Sequence, residues 1–372
     1  MRVPAIVFSV SLLIFAACSS DAGTEPDSYQ QLTATLDRIL SDSASANGVI
    51  GAQAAVLIPG QQPWLGVTGL NRPGDAMRGD LMIGTGSISK MYTAIAALVL
   101  VDRGVVRLDD PIGKWFPGTP NIDPNLSVER LLQNTSGLAD YSAGPNFGSV
   151  ALADPQRTWQ AEELLTFVGP PLFAPGTGWN ASNTNRLLLG MIVERETGLS
   201  LGTFMRNEFF QGLTSSWLAG DGAAPGPVAS QWFVDGAGNR IDYTASFFGP
   251  ALFSTRREVQ ASAADIAVFA ARLFGGNLLS SATKTAMLTV VPDDGAIAGQ
   301  TGGGLGVRRY NYLGRTLYGH SGATNNSTAL VLYDPGTGIV AAVSVNQNGA
   351  SHRQSHFRTT PALLQAAIAF TR

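Results

Sequence analysis

Apolar residues recur at Leu32, Leu36, Ile39 and Leu40. That three-to-four spacing predicts a helix over 29–43 with one buried face. The pattern then changes. Val49–Ile58 and Trp64–Leu70 are apolar runs of strand length on either side of Pro59-Gly60, which predicts a β-hairpin. From Ser87 to about Leu288 the periodicity is mainly helical and is punctuated by glycine and proline. Met91–Arg103 stops at Gly104, Val128–Gln133 is short, Leu187–Thr197 stops at Gly198, and Ala263–Phe274 stops at Gly275-Gly276. Strand patterns return at 305–310, 315–319, 327–333 and 339–345, and Asp334-Pro335-Gly336-Thr337-Gly338 joins the last two as a hairpin. Pro361–Phe370 predicts a closing helix.

Strands at both ends with helices between them predict an α/β (α+β) architecture. One antiparallel sheet is built from both chain ends and flanked by the terminal helices, with a mainly helical subdomain inserted. The sheet lobe spans about 29–84 and 300–372 and the helical lobe about 85–299. A groove between two such lobes is a favourable place for a small-molecule site.

Composition narrows the class. The 372 residues are 45% hydrophobic and 14% charged, enough apolar material for a sizeable core. The 43 glycines and 20 prolines are dispersed, which fits a loop-rich globular chain. A net charge of −3 lacks the basic footprint that nucleic acid requires. Residues 1–17 read as an export signal: Met1-Arg2 is the positive start and Val3–Phe15 an apolar stretch too short to span a bilayer comfortably. Small residues then precede Cys18, the only cysteine. A lone thiol at that place in an exported chain is explained by acylation, with 18–28 as a polar linker before a domain at 29–372. The expected location is the bacterial cell envelope, with a lipid anchor at Cys18.

The candidate chemistry lies in Gly84-Thr85-Gly86-Ser87-Ile88-Ser89-Lys90, just ahead of an apolar run. If Ser87 starts a helix, Lys90 sits one turn on and shares its face. A serine hydroxyl needs a base to become a nucleophile, and a desolvated lysine supplies one. The helix start adds unpaired N–H groups suited to a developing oxyanion. The bland alternative is a capping serine beside a solvated lysine.

Six segments in order bear on that choice: "GSISKMYTA" at Gly86, "LDDPIGKWFP" at Leu108, "LLQNTSGLADY" at Leu131, "FAPGTGWNASNTNRLLLGMIVERETG" at Phe173, "SAADIAVF" at Ser262 and "YGHSG" at Tyr318. Together they resemble the serine β-lactamase and penicillin-binding-protein superfamily, in its branch of class C β-lactamases, DD-carboxypeptidases and β-lactamase-like esterases. The resemblance implies that Ser87 is the nucleophile and Lys90 its proton partner. It implies that Asn183 contacts the substrate and Lys90, and that His320-Ser321-Gly322 is the third motif on a strand lining the groove. The N–H groups of Ser87 and Ala323 would then form the oxyanion hole. One position departs: Ala181 stands where the family carries a tyrosine that shuttles protons between nucleophile, lysine and leaving group. Tyr141, in "SGLADY", reads either as a groove residue or as structural.

Rival readings are weaker. "GHSGA" at Gly319 lacks the last glycine of a lipase elbow and precedes a strand rather than a helix. His352 and His356 have no carboxylate between them and read as exposed polar residues rather than metal ligands. No metal or cofactor is implied. The resemblance implies a lipid-anchored serine hydrolase acting through an acyl-enzyme on D-Ala-D-Ala peptides, β-lactams or small esters, and does not choose among them. The alternative is a non-catalytic penicillin-binding-like lipoprotein that binds peptidoglycan peptides or a partner.

Overall fold

The computed structural model describes residues 28–154, 157, 159–242, 258–293, 297, 299–312, 314–349 and 355–372. Residues 1–17, read above as an export signal, and Cys18 lie outside the described residues, as does His352. In chain order the elements are α1 (Ser28–Ala46), β1 (Gly51–Leu57), β2 (Trp64–Arg72), β3 (Asp75–Ala76), β4 (Ile83–Gly84), α2 (Ile88–Asp102), α3 (Val128–Gln133), α4 (Phe147–Ala153), α5 (Ala161–Leu165), α6 (Asn183–Thr197) and α7 (Leu201–Glu208). Then follow β5 (Ser216–Leu218), β6 (Trp232–Val234), β7 (Arg240–Asp242), β8 (Val259–Ala261), α8 (Ala263–Phe274), α9 (Ser281–Leu288), β9 (Gln300–Gly303), β10 (Arg308–Tyr312), β11 (Arg315–Ala323), β12 (Thr328–Tyr333), β13 (Val340–Val345), β14 (Gln347–Gly349) and α10 (Ser355–Phe370).

The expected sheet is present. Its order is β3-β2-β1-β13-β12-β11-β10-β9, so the N-terminal hairpin adds to the C-terminal strands through the antiparallel β1–β13 pair. Alternation splits the two faces. Leu317, Leu330, Leu332 and Val343 pack with Leu32, Leu36, Leu363 and Leu364 of α1 and α10. Ala55, Val331 and Ala342 pack with α2 and α8 of the helical lobe.

Several expectations are corrected. The middle of the chain also holds two small sheets, β14-β6-β7 and β4-β8-β5. Their strands from that region have three residues each, too few for a period of two to stand out. Leu305 precedes strand β10 rather than starting it, and β9 was not expected. Helix α6 begins at Asn183, four residues before the first leucine of its apolar run. The closing helix begins before Pro361, which lies inside it. His356 therefore sits on a helix rather than in an exposed loop. It is 2% exposed and its ring lies 4.2 Å from that of Phe357. Burial holds the imidazole neutral, with its pKa down to about 3.

Gln53 joins the lobes. Its side chain projects from β1 on the helical face and is 2% exposed. The amide donates to the carbonyls of Arg78 at 2.6 Å and Leu81 at 2.9 Å, and its oxygen accepts from the N–H of Ala263 at 3.1 Å, at the start of α8. Gln53→Leu keeps the volume and strands these groups. It should lower stability by about 2–4 kcal/mol, since each buried polar group left unpaired costs about 1–3 kcal/mol; urea unfolding at constant slope checks this.

Candidate active site

Helix α2 is apolar on every side: of its 15 residues, 12 are buried. Such a helix belongs in a core, and it runs through the centre of the helical lobe. The preceding turn is fixed by Gly86, whose φ of +53° favours a residue without Cβ. A Cβ there would lie 2.5 Å from the nitrogen of Ala323. Reciprocally, a Cβ on Gly322 would meet the carbonyl oxygen of Thr85 at 1.9 Å and the nitrogen of Ser87 at 2.8 Å. The end of β11 and the start of α2 therefore touch through backbone alone, with the Ser87 N–H beside the Gly322-Ala323 segment.

Ser87 stands at the N-cap of α2, but its side chain makes no capping bond. Its Oγ instead accepts from Lys90 Nζ at 3.0 Å. The serine is thus engaged with the lysine rather than spent on the helix end. Burial is the main cause that drops the Lys90 pKa to about 7. Arg186 and Arg308 push the same way, and Asp140 and Glu258 push back. A lysine so tuned is half neutral near pH 7 and able to take a serine proton.

The cleft above this pair is lined by Gly86, Ser87, Lys90, Asn183, Arg186, Glu258, Ala323 and Thr324, with an internal volume of about 140 Å³. Asn183 is the first residue of α6, and its N–H donates to Asp140 Oδ2 at 2.8 Å, which fixes the helix start against the turn at 140. Ala181 is half-buried two residues earlier and offers no hydroxyl. His320 is 3% exposed and sits behind the cleft on β11, its Nδ1 2.6 Å from the carbonyl oxygen of Ser321. Burial and the nearby Arg308 keep it neutral. The Ser321 side chain projects to the opposite face of the sheet, as its place between His320 and Gly322 requires; only its backbone belongs to this edge. Tyr141 is 2% exposed and packs edge-on against Phe147 at 5.6 Å, a structural position. Among the described residues no cluster of three metal-ligating side chains occurs.

Among the cleft residues not anticipated are Arg186 and Glu258. Arg186 lies three residues after Asn183, so it shares that face of α6, a relation hidden when the helix is started at Leu187. Glu258 precedes β8 and is 172 residues from its partner: its Oε1 accepts from the Gly86 N–H at 2.8 Å. Nothing in the local sequence marks it.

A half-buried serine–lysine pair at a helix start, beside a strand end, can activate the serine hydroxyl as a nucleophile. The model of the family described as Beta-lactamase matches residues 36–364, and the chain belongs to that family. It is similar to Penicillin-binding protein 4 of Amycolatopsis lactamdurans, 29% identical over 80% of this chain and 81% of the relative. It is also similar to Esterase EstB of Burkholderia gladioli, 33% identical over 46% of this chain and 47% of the relative. The chain spans less than half the length of two of the curated relatives it matches. Among solved structures, D-amino acid amidase from Ochrobactrum anthropi SV3, complexed with L-phenylalanine amide, superimposes with a TM-score of 0.83 at 25% identity, covering 92% of this chain and all of the other.

The pH response follows from Lys90. With the lysine as base, the reactive form gains as pH rises through about 7. Phosphonylation of Ser87 by a fluorophosphonate should climb with unit slope below that pH and level off above it. Arg186→Gln removes one cause of the lowered pKa and should move the bend to higher pH; an unmoved bend would mean that Lys90 is not the titrating group.

Proposed function

We propose that the chain is an exported, lipid-anchored serine hydrolase that works through an acyl-enzyme on Ser87 and favours activated small esters. The observation that carries this reading is the 3.0 Å contact between Ser87 Oγ and a half-buried Lys90 with its pKa near 7. Lys90 takes the Ser87 proton as Oγ attacks the carbonyl carbon. The N–H groups of Ser87 and Ala323 receive the oxyanion, and Asn183 holds the acyl portion. D-Ala-D-Ala peptides and β-lactams use the same machinery, but both expel a nitrogen that must be protonated as it leaves. Ala181 removes the phenol that delivers that proton in the family. General acid help is worth roughly 10²–10⁴-fold when the leaving group needs it, and a phenolate does not. The likeness to an esterase fits this preference.

Ser87→Ala should abolish labelling by a fluorophosphonate and hydrolysis of p-nitrophenyl acetate. If the wild-type chain takes no label at all, the second reading stands: a penicillin-binding-like lipoprotein that holds peptidoglycan peptides or a partner without turnover, which Ala181 also favours.

The anchor rests on Cys18 and the export signature of residues 1–17. Several acyl chains keep a protein on a membrane where one does not. Cys18→Ser should therefore move the protein out of the membrane fraction and remove metabolic palmitate label; unchanged fractionation would leave a plain secretory signal.

A further inference from the structure

Glu258 acts on the Lys90 pKa and holds the Gly86 N–H but takes no part in the steps above, although it shares the cleft with Ser87 and Lys90. Its place is built rather than incidental. Thr85 Oγ1 donates to the Val259 carbonyl at 2.7 Å, and the Val259 N–H donates to Ser89 Oγ at 2.9 Å. These bonds clamp the start of β8 to the start of α2, on both sides of the reactive serine. The carboxylate is then aimed by the Gly86 N–H at 2.8 Å and by Gln260 Nε2 at 3.4 Å. It stands beside the Thr85–Gly86 peptide, one peptide ahead of the Ser87 N–H. A neutral acceptor would satisfy the Gly86 N–H equally well, so the turn does not require a charge; the carboxylate raises the Lys90 pKa and is also placed to accept a proton in the cleft.

The charged groups facing it are Lys90 from α2 and Arg186 from α6, while Asp140 and Arg308 act on Lys90 from the turn at 140 and from β10. When an ester expels its alcohol as an anion, the proton taken from Ser87 stays on Lys90. While Lys90 holds that proton, it cannot activate water for the second half of the reaction, and position 181 offers no phenolate to do so.

We propose that Glu258 is the base that activates water to hydrolyse the acyl-enzyme, a step that rests on the hydrolase reading above. The Glu258 carboxylate takes one proton from a water molecule in the cleft, and the water oxygen forms a bond to the acyl carbonyl carbon. The bond from that carbon to Ser87 Oγ then breaks. Its electron pair goes to Oγ, which takes the proton held by Lys90. The carboxylic acid product leaves, and Glu258 releases its proton to solvent. Burial raises the Glu258 pKa above the ordinary carboxylate value, which strengthens it as a base while leaving it ionised on the alkaline side.

The test is Glu258→Gln in the otherwise intact chain, with p-nitrophenyl acetate followed by stopped flow. Glutamine keeps an oxygen for the Gly86 N–H, so the serine turn is retained. The expected result is a burst of about one nitrophenolate per enzyme at a rate within about threefold of wild type. Steady turnover should then be slower on the order of 10²-fold, with Ser87 acetylated in the intact mass. A steady rate within threefold of wild type overturns the proposal, as does an equal fall in burst and steady rates, which would make Glu258 a support for the turn alone. Should the variant fail to fold, the wild-type deacylation rate decides. It should fall on acidification with a bend above the ordinary carboxylate value and separate from that of acylation; a profile without such a bend overturns the proposal. A wild-type chain that forms no acyl-enzyme would remove the hydrolase reading itself, a distinct result.

Discussion

The contact on which the site depends is made without side chains. The turn at Gly86 and the strand end at Gly322-Ala323 approach so closely that a single methyl group on either glycine would overlap backbone atoms of the other segment. This contact fixes where α2 begins relative to the sheet, and the other site features follow from it. The Ser87 N–H is set beside Ala323, the Ser87 side chain is released from capping, and Lys90 is brought under it by the pitch of the helix. Two lobes meet here, and the seam is held by backbone geometry that no flexible side chain can relax.

Electrostatics then determine what the contact can do. Lys90 would hold its proton tightly in water. In the cleft, burial and two guanidinium groups loosen that hold, while Asp140 and Glu258 limit the effect. The balance matters more than any one pair, because a lysine stripped of all negative neighbours would be too weak a base, and one fully paired would never be neutral. Exposed ion pairs such as Arg107–Asp109 contribute little by comparison, since solvent screens them.

Much of this was legible from the pattern of residues, for reasons that can be stated. The sheet built from both ends followed from long apolar strands whose period is unambiguous, and Ser87 and Lys90 followed from local spacing in front of an apolar helix. Asn183 came from the resemblance of its flanking segments. What could not be read were relations across the chain. Glu258 meets Gly86 through a single hydrogen bond over 172 residues, and Arg186 depends on a helix start that its polar first turn conceals. His356 looked like a surface residue because its neighbours are polar, whereas packing of Leu363, Leu364 and Ala367 draws the whole helix inward. The far-side orientation of Ser321 follows from strand parity, which a motif comparison does not consider.

The all-round burial of α2 has a further consequence. A helix that fronts solvent can fray or detach while the rest of a domain stays intact, and its amides exchange with water through such partial openings. Helix α2 has no outer face by which to detach. Its central hydrogen bonds can break only when the surrounding helical lobe comes apart, so the slowest-exchanging amides should lie in the buried turns that follow the serine and the lysine. The serine–lysine pair is thereby carried on a helix whose body opens last, and loss of that helix on heating coincides with loss of the fold rather than preceding it.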